Sequence, residues 1–267
     1  MGESLKTLEG GNLNEALGHC YEKVIKLINP NIKTFSYQST PLSKSQFSMK
    51  YYNNDSLPDI ILAKNNLYKD FLENNLNITT KIINFGDLKY QKNIETKIKG
   101  DNNSILLIPE GLHSEVNIMI NFILENCEKC PNYNFTIRFH PIYPKKEINN
   151  LKLKFKGSKN VFFSNNSIIS DFQKNSYVIY RGSSLIFKAM QYKLIPIYLN
   201  QGINVNILDI FKLKNNIFNS DENFDEKYIK KLEFKDQFVK FISSYFINCN
   251  YDKLLNEFEK KKIISMI

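Results

Sequence analysis

The chain predicts an α/β fold: Rossmann-like, doubly wound parallel sheets. Three observations carry that expectation. Short, almost wholly apolar runs at 104–108, 177–180 and 195–199, with a further strand at 134–139, alternate with stretches of helical periodicity, and strands apolar at nearly every position are those covered on both faces. Most of these runs end in turn-forming residues: Pro109-Glu110-Gly111, His140-Pro141 and Arg181-Gly182-Ser183-Ser184. The stretch 177–199 reads as strand, tight polar turn, helix and second strand, the unit from which parallel sheets are assembled.

In chain order, residues 1–12 are polar and glycine-bearing. Leu13, Leu17, Tyr21, Val24, Leu27 and Ile28 then recur at helical spacing, giving an amphipathic helix over 14–28 that Asn29-Pro30-Asn31 stops. A strand over 32–37 and a polar loop over 38–48 follow. Next come a strand over 59–63, a helix over 66–74 and a strand over 80–85, closed by Gly86-Asp87. Residues 91–103, rich in Lys, Asn and Gly, form the expected linker. It separates a first domain, 1–90, from a second, 104–230, with a helical segment over 231–267. The second domain takes strands at 104–108, 134–139, 160–163, 177–180 and 195–199. Helices are expected over 114–128, over a short stretch opening near 165–171, and from the Arg-Gly-Ser-Ser turn to Tyr192. Residues 200–225 read as variable.

The 267 residues carry 36 Lys and Arg against 27 Asp and Glu, a net charge of +9. Such a balance suits an anionic partner. The lysines are scattered, with no concentrated basic stripe interleaved with aromatics, so no nucleic-acid partner is expected. Against that background the chain holds two arginines, Arg138 and Arg181, each at the end of an expected buried strand. Arginine suits sites that need fixed, bidentate recognition of phosphate or carboxylate. Four cysteines, Cys20, Cys127, Cys130 and Cys249, include one C-x-x-C. No second pair or nearby histidine completes a zinc site, and free thiols of a reducing cytosol are the expectation. The chain opens on no secretory signal and contains no apolar run long enough to span a bilayer.

Ligands of open parallel sheets bind beyond the carboxyl ends of the strands. The loops leaving those ends gather Glu110, Gly111, Arg138, His140, Arg181, Ser183 and Ser184 on one rim. An acid, an imidazole, two guanidiniums and two hydroxyls together suit a phosphoryl leaving group beside an acceptor hydroxyl. Each also has a structural reading: the Pro-Glu-Gly as a plain turn, the serines as helix caps. His113 and His19 carry no motif and read as surface or core residues. No Asp-x-Asp cluster is present to hold a divalent metal.

The order of these motifs, an acid-Gly turn, an Arg-Phe-His-Pro strand end and a Gly-Ser-Ser turn before a helix, resembles the nucleotide-binding half of GT-B-type glycosyltransferases. The match is to bacterial sialyltransferases, polysialyltransferases and Kdo transferases of surface polysaccharide. It spans about residues 104–200, and more weakly 1–90 as an acceptor-side domain. The resemblance implies an inverting, metal-independent transfer from a nucleotide sugar, a CMP-activated acidic sugar by preference, to a glycan or glycolipid, with no further cofactor. It implies donor-phosphate contacts from His140, Ser183 and Ser184, with Arg138, Arg181 and Gly182 beside them. Gly111 and Pro141 would adjoin the nucleotide, and Glu110 would act as general base. Two positions depart from the pattern: Pro109 stands where the first acid of an acidic pair belongs, and Lys188 stands near a customary glutamate. The expected location is cytoplasmic, with the basic tail 260–262 available to an anionic membrane face. Two alternatives stay open: a non-catalytic nucleotide- or anion-binding module, and a GT-B enzyme using a UDP-sugar or CDP-glycerol donor.

Overall fold

The structure, a computed structural model, describes residues 24, 27–29, 33–38, 41–42, 57–76, 78–88, 102–213 and 216–260. The helix expected over 14–28, the loop over 38–48, the linker over 91–103 and the tail 260–262 lie wholly or largely outside them, as do His19 and Cys20. The chain divides into two compact units, one of Met1–Lys92 with Ser243–Ile267, the other of Asn93–Ile242. Of the segment 231–267, residues 231–242 thus belong to the second unit and 243–267 to the first. The described helices in chain order are α1 (Asn66–Asn74), α2 (His113–Asn126), α3 (Lys145–Leu153), α4 (Ile168–Lys174), α5 (Leu185–Gln191), α6 (Glu226–Lys230), α7 (Asp236–Tyr245) and α8 (Tyr251–Lys260).

In the first unit, β1 (Phe35–Tyr37), β2 (Ile60–Ala63) and β3 (Lys81–Asn84) pair in parallel in that order. β2 is buried at every residue, as a middle strand covered on both faces must be. Asn65 accepts the N–H of Tyr68 and so caps α1, which turns Tyr68, Phe71 and Leu72 inward at i, i+3 and i+4. Ile60, Leu62, Ile83 and Phe85 form a core against which Leu254 of α8 packs. The return of the chain is close. Gly86 has φ +119°, and a Cβ there would lie 2.6 Å from the backbone of Cys249, so glycine alone fits.

The second unit holds a six-stranded parallel sheet of β4 (Ser104–Leu107), β5 (Asn134–Ile137), β6 (Val161–Phe163), β7 (Tyr177–Tyr180), β8 (Ile195–Asn200) and β9 (Asn216–Asn219). Their order is β6-β5-β4-β7-β8-β9. Counted within the unit this is 3-2-1-4-5-6, the doubly wound arrangement, with its reversal between β4 and β7. Both of those central strands are buried throughout. Val116, Ile120 and Ile123 of α2 close one core with Phe135, Ile179 and Leu199 of the sheet.

β9 and α3 stand where no element was expected, and each has a physical reason to be hard to read. β9 is an edge strand, Asn-Ile-Phe-Asn, with Phe218 buried and Ile217 exposed, too short and polar for a periodic signal. α3 buries only Leu151 and so presents no apolar stripe to recognise.

Candidate functional site

The reversal point of a doubly wound sheet leaves a crevice, because the loops after its two central strands diverge. Here β4 runs out into Ile108, whose N–H still bonds Ile179 O at 3.2 Å, and then into Pro109-Glu110-Gly111. β7 runs out into Arg181-Gly182-Ser183-Ser184. Between them, with the loop after β5, lies a cleft of about 300 Å3 lined by Glu110, Gly111, Leu112, His140, Ile142, Ser183 and Ser184. Residues from three separate loops thus meet on one rim.

The glycines make this approach possible. A Cβ on Gly182 would lie 2.5 Å from Oε1 and 2.9 Å from Cδ of Glu110, so the carboxylate rests directly over the Gly182 backbone. A Cβ on Gly111 would run into Ile142 Cγ2 and stand 3.4 Å from His140 Nδ1. His140 accepts the Ile142 N–H at Nδ1, at 3.3 Å. In the neutral ring that leaves the proton on Nε2, a hydrogen-bond donor. Ser184 occupies the cap position of α5 without capping it through its side chain. Ser183 is buried and Ser184 exposed. Burial and the negative charge of Glu115 push the Glu110 carboxyl up, and Arg181 pulls it back in part.

The two arginines sit differently from expectation. Neither lines the cleft. Arg181 is 1% exposed. Its Nε donates to Glu115 Oε2, its Nη1 to Leu199 O at 2.8 Å, and its Nη2 to Ile203 O at 2.8 Å. Arg138 donates from Nη1 to Asp171 Oδ2 at 2.7 Å and to Asn166 O at 2.8 Å. Arg181 satisfies a buried carboxylate and two main-chain carbonyls, and Arg138, from Nη1, a buried carboxylate and one main-chain carbonyl. A buried charge needs such a partner, and the pairing commits the Arg181 fork to the protein itself. Pro141 is exposed and lies outside the cleft lining, while Gly182 contributes its backbone beneath Glu110.

Glu115 and Asp171 escape a reading of the sequence, although Glu115 carries a signal there. It shares the apolar stripe of α2 with Met119, Phe122 and Asn126, and a charge on a buried stripe implies a partner. Leu112 and Ile142, apolar lining residues, are 59% and 74% exposed. Beside them His113 is not an isolated surface residue: its Nδ1 lies 2.8 Å from Glu147 Oε2 and 3.2 Å from Tyr143 Oη. Cys127 and Cys130 are free and buried. Among the described residues no group of three or more His, Cys, Asp and Glu could hold a metal ion, and no helix is long and apolar enough to cross a membrane.

Comparison with solved structures bears on this architecture. A point mutant of Staphylococcus aureus TarM, solved with fondaparinux, α-GlcNAc-glycerol and UDP, matches at 11% identity and a TM-score of 0.53, over 88% of this chain and 52% of that one. The fold is that of a GT-B glycosyltransferase domain. A second TarM structure matches at 13% identity and a TM-score of 0.47, over 88% of this chain and 52% of that one. The pneumococcal O-GlcNAc transferase GtfA with UDP and GlcNAc matches at 11% and 0.45, over 74% of this chain and 40% of that one. The chain therefore spans about half the length, or less, of these structures. No protein-family model and no curated protein matches it.

Proposed function

We propose that the cleft at the β4–β7 reversal holds the leaving phosphate of a nucleotide-sugar donor, and that the protein transfers the sugar to a glycan or glycolipid hydroxyl. The observation that carries this reading is the convergence of Glu110, His140, Ser183 and Ser184 on one cleft at the carboxyl ends of β4, β5 and β7. In that reaction the acceptor oxygen bonds the anomeric carbon, and the bond from that carbon to the phosphate oxygen breaks. The electron pair leaves with the phosphate, and the acceptor proton passes to Glu110. A single displacement of this kind inverts the anomeric centre. The raised affinity of Glu110 for a proton suits a base better than an ordinary surface carboxylate would. The Nε2–H of His140 and the hydroxyls of Ser183 and Ser184 supply directed donors to the departing oxygens.

The placement of the arginines shapes the chemistry of this proposal. Phosphate recognition rests on His140, Ser183 and Ser184, and Arg138 and Arg181 act through the loops they tie down. For the donor, the motif order favours a CMP-activated acidic sugar, while the TarM structure holds UDP. Titration with CMP, CDP, UDP and GDP separates the two. Binding of CMP or UDP is expected, weakened in His140→Ala and in Ser183→Ala, with turnover of the matching sugar donor reduced by about 2–4 kcal/mol per lost phosphate donor. Absence of nucleotide binding in the intact chain refutes the proposal. Binding without turnover, unaffected by Glu110→Gln, identifies a binding module instead.

A further inference from the structure

Two buried charges of the second unit stand immediately behind the cleft. Glu115 lies in the first turn of α2 and Arg181 at the end of β7, with 8% and 1% of their surfaces exposed. The Arg181 fork reaches four acceptors on three separate segments. Nε and Nη2 address the Glu115 carboxylate, Nη1 addresses Leu199 O where β8 ends, and Nη2 also addresses Ile203 O in the following loop. That same loop is tied further by Tyr198 Oη to Asn204 Oδ1 at 3.0 Å and Tyr180 Oη to Asn206 Oδ1 at 2.9 Å. Glu110 rests its carboxylate on the Gly182 backbone, one residue from Arg181.

We propose that Glu115 and Arg181 are positioning residues of this cleft: they lock the loops after β4, β7 and β8 together and set the charge against which the Glu110 carboxylate works. The proposal rests on Glu110 being the working carboxylate of the proposed transfer. The groups facing Glu110 are Glu115 from α2, Arg181 from β7 and His140 across the cleft from the loop after β5. Glu115 acts on Glu110 with one sign and Arg181 with the other, Glu115 the more strongly. A guanidinium is required because its planar fork reaches a carboxylate and two carbonyls at once, whereas an ammonium presents its donors from one nitrogen.

The two partners therefore predict opposite effects, which a merely structural pair does not. The proton affinity of Glu110 is measured directly, by carbon NMR titration of side-chain carboxyls in the full chain, assigned with Glu110→Gln. Glu115→Gln is expected to lower the Glu110 titration midpoint, and Arg181→Met to raise it. The double variant removes both charges and strands neither, and its midpoint is expected between wild type and Glu115→Gln. That variant keeps the test decisive if Arg181→Met alone does not fold. Arg181→Lys retains the charge without the fork, and is expected to speed amide hydrogen exchange over 201–206 by about tenfold or more. Midpoints that stay put, or that shift in one direction in all variants, overturn the charge-setting role. Unchanged exchange in Arg181→Lys overturns the locking role. Neither readout needs a donor. If the midpoints move as expected while the pH profile of sugar transfer does not follow them, the assignment of Glu110 as base fails and the positioning role stands.

Discussion

Gly182→Ala tests the cleft with a single methyl group. Gly182 is not in the left-handed region, so alanine keeps its backbone, and the change acts through space alone. The new Cβ would sit 2.5 Å from Oε1, 2.9 Å from Cδ and 3.2 Å from Oε2 of Glu110. Carbon and oxygen atoms settle near about 3.5 Å, so the carboxylate must retreat by roughly 1 Å. It is the end of a flexible side chain facing a cleft, so the stability cost is about 1 kcal/mol. Restricting the unfolded chain returns about 0.4–1 kcal/mol. The melting temperature is thus expected to stay close to wild type. Turnover is another matter, since a misplacement of about 1 Å costs on the order of 100-fold in rate, or about 2.7 kcal/mol. The assay is nucleotide release from UDP- and CMP-sugars, run beside thermal unfolding. Gly111→Ala is the internal comparison. Its Cβ meets Ile142, a side chain 74% exposed that can turn away, so a loss under about tenfold is expected. If Gly182→Ala turns over like wild type, or no worse than Gly111→Ala, Glu110 is not placed by this contact.

Three further outcomes follow from particular residues. Burial and Glu115 raise the Glu110 carboxyl in the folded chain, so its ionisation opposes folding. Glu110→Gln is therefore expected to melt higher than wild type at neutral pH. The gain fades as pH falls through the folded midpoint and is gone below the ordinary carboxylate range, where both states are protonated; a variant less stable at pH 7 contradicts the sign. Asn160 Nδ2 donates to the carbonyls of Cys127, Cys130 and Tyr133 at 2.9, 3.1 and 3.0 Å. Asn160→Ala strands those acceptors and should cost about 2 kcal/mol in urea unfolding, a loss under about 0.5 kcal/mol arguing against the anchor. Burial, then Glu226 and Asp225, push the Cys130 thiol up to about 12, and Cys127 is raised as well. Native protein at pH 8 should leave both unalkylated by iodoacetamide in peptide mass mapping, and rapid labelling would revive a redox role for the C-x-x-C.

The parallel sheets are legible in the sequence because each central strand is an apolar run with turn chemistry at its end. Residues 177–180 and 66–74 are reproduced to the residue as β7 and α1. The strand order is not written in any single segment. It follows from which pairs lie side by side, and that depends on contacts between β4 and β7, distant in sequence. The rim residues Glu110, Gly111, His140, Ser183 and Ser184 are legible because a parallel sheet puts every strand's carboxyl end on one side. Leu112 and Ile142 carry no such signal, because exposed aliphatic residues are ordinary on protein surfaces, and only the closed geometry makes them lining. His113 has no motif around it. Its partners Tyr143 and Glu147 lie 30 or more residues away, and nothing local announces them.

The arginines show why a rare residue at a strand end signals need without naming the ligand. At position 181 the acceptor of the fork is the protein itself; at position 138 Nη1 meets Asp171 and Asn166. Arg138 ties the exit of β5 to Asp171 of α4, and Arg181 ties the exit of β7 to α2 and to the loop after β8. At Arg181 a buried carboxylate and two main-chain carbonyls converge, and lysine cannot meet so many acceptors from one nitrogen. Neither guanidinium lines the cleft, and among the described residues of its lining Glu110 is the carboxylate. In the proposed transfer, positive charge growing on the reacting sugar would face this carboxylate. The buried Arg181, one layer back, keeps that carboxylate from holding its proton more tightly still. Under the proposed transfer, a carboxylate at the centre of the site has a task in displacement at an anomeric carbon, whereas simple storage of an anion gains nothing from it.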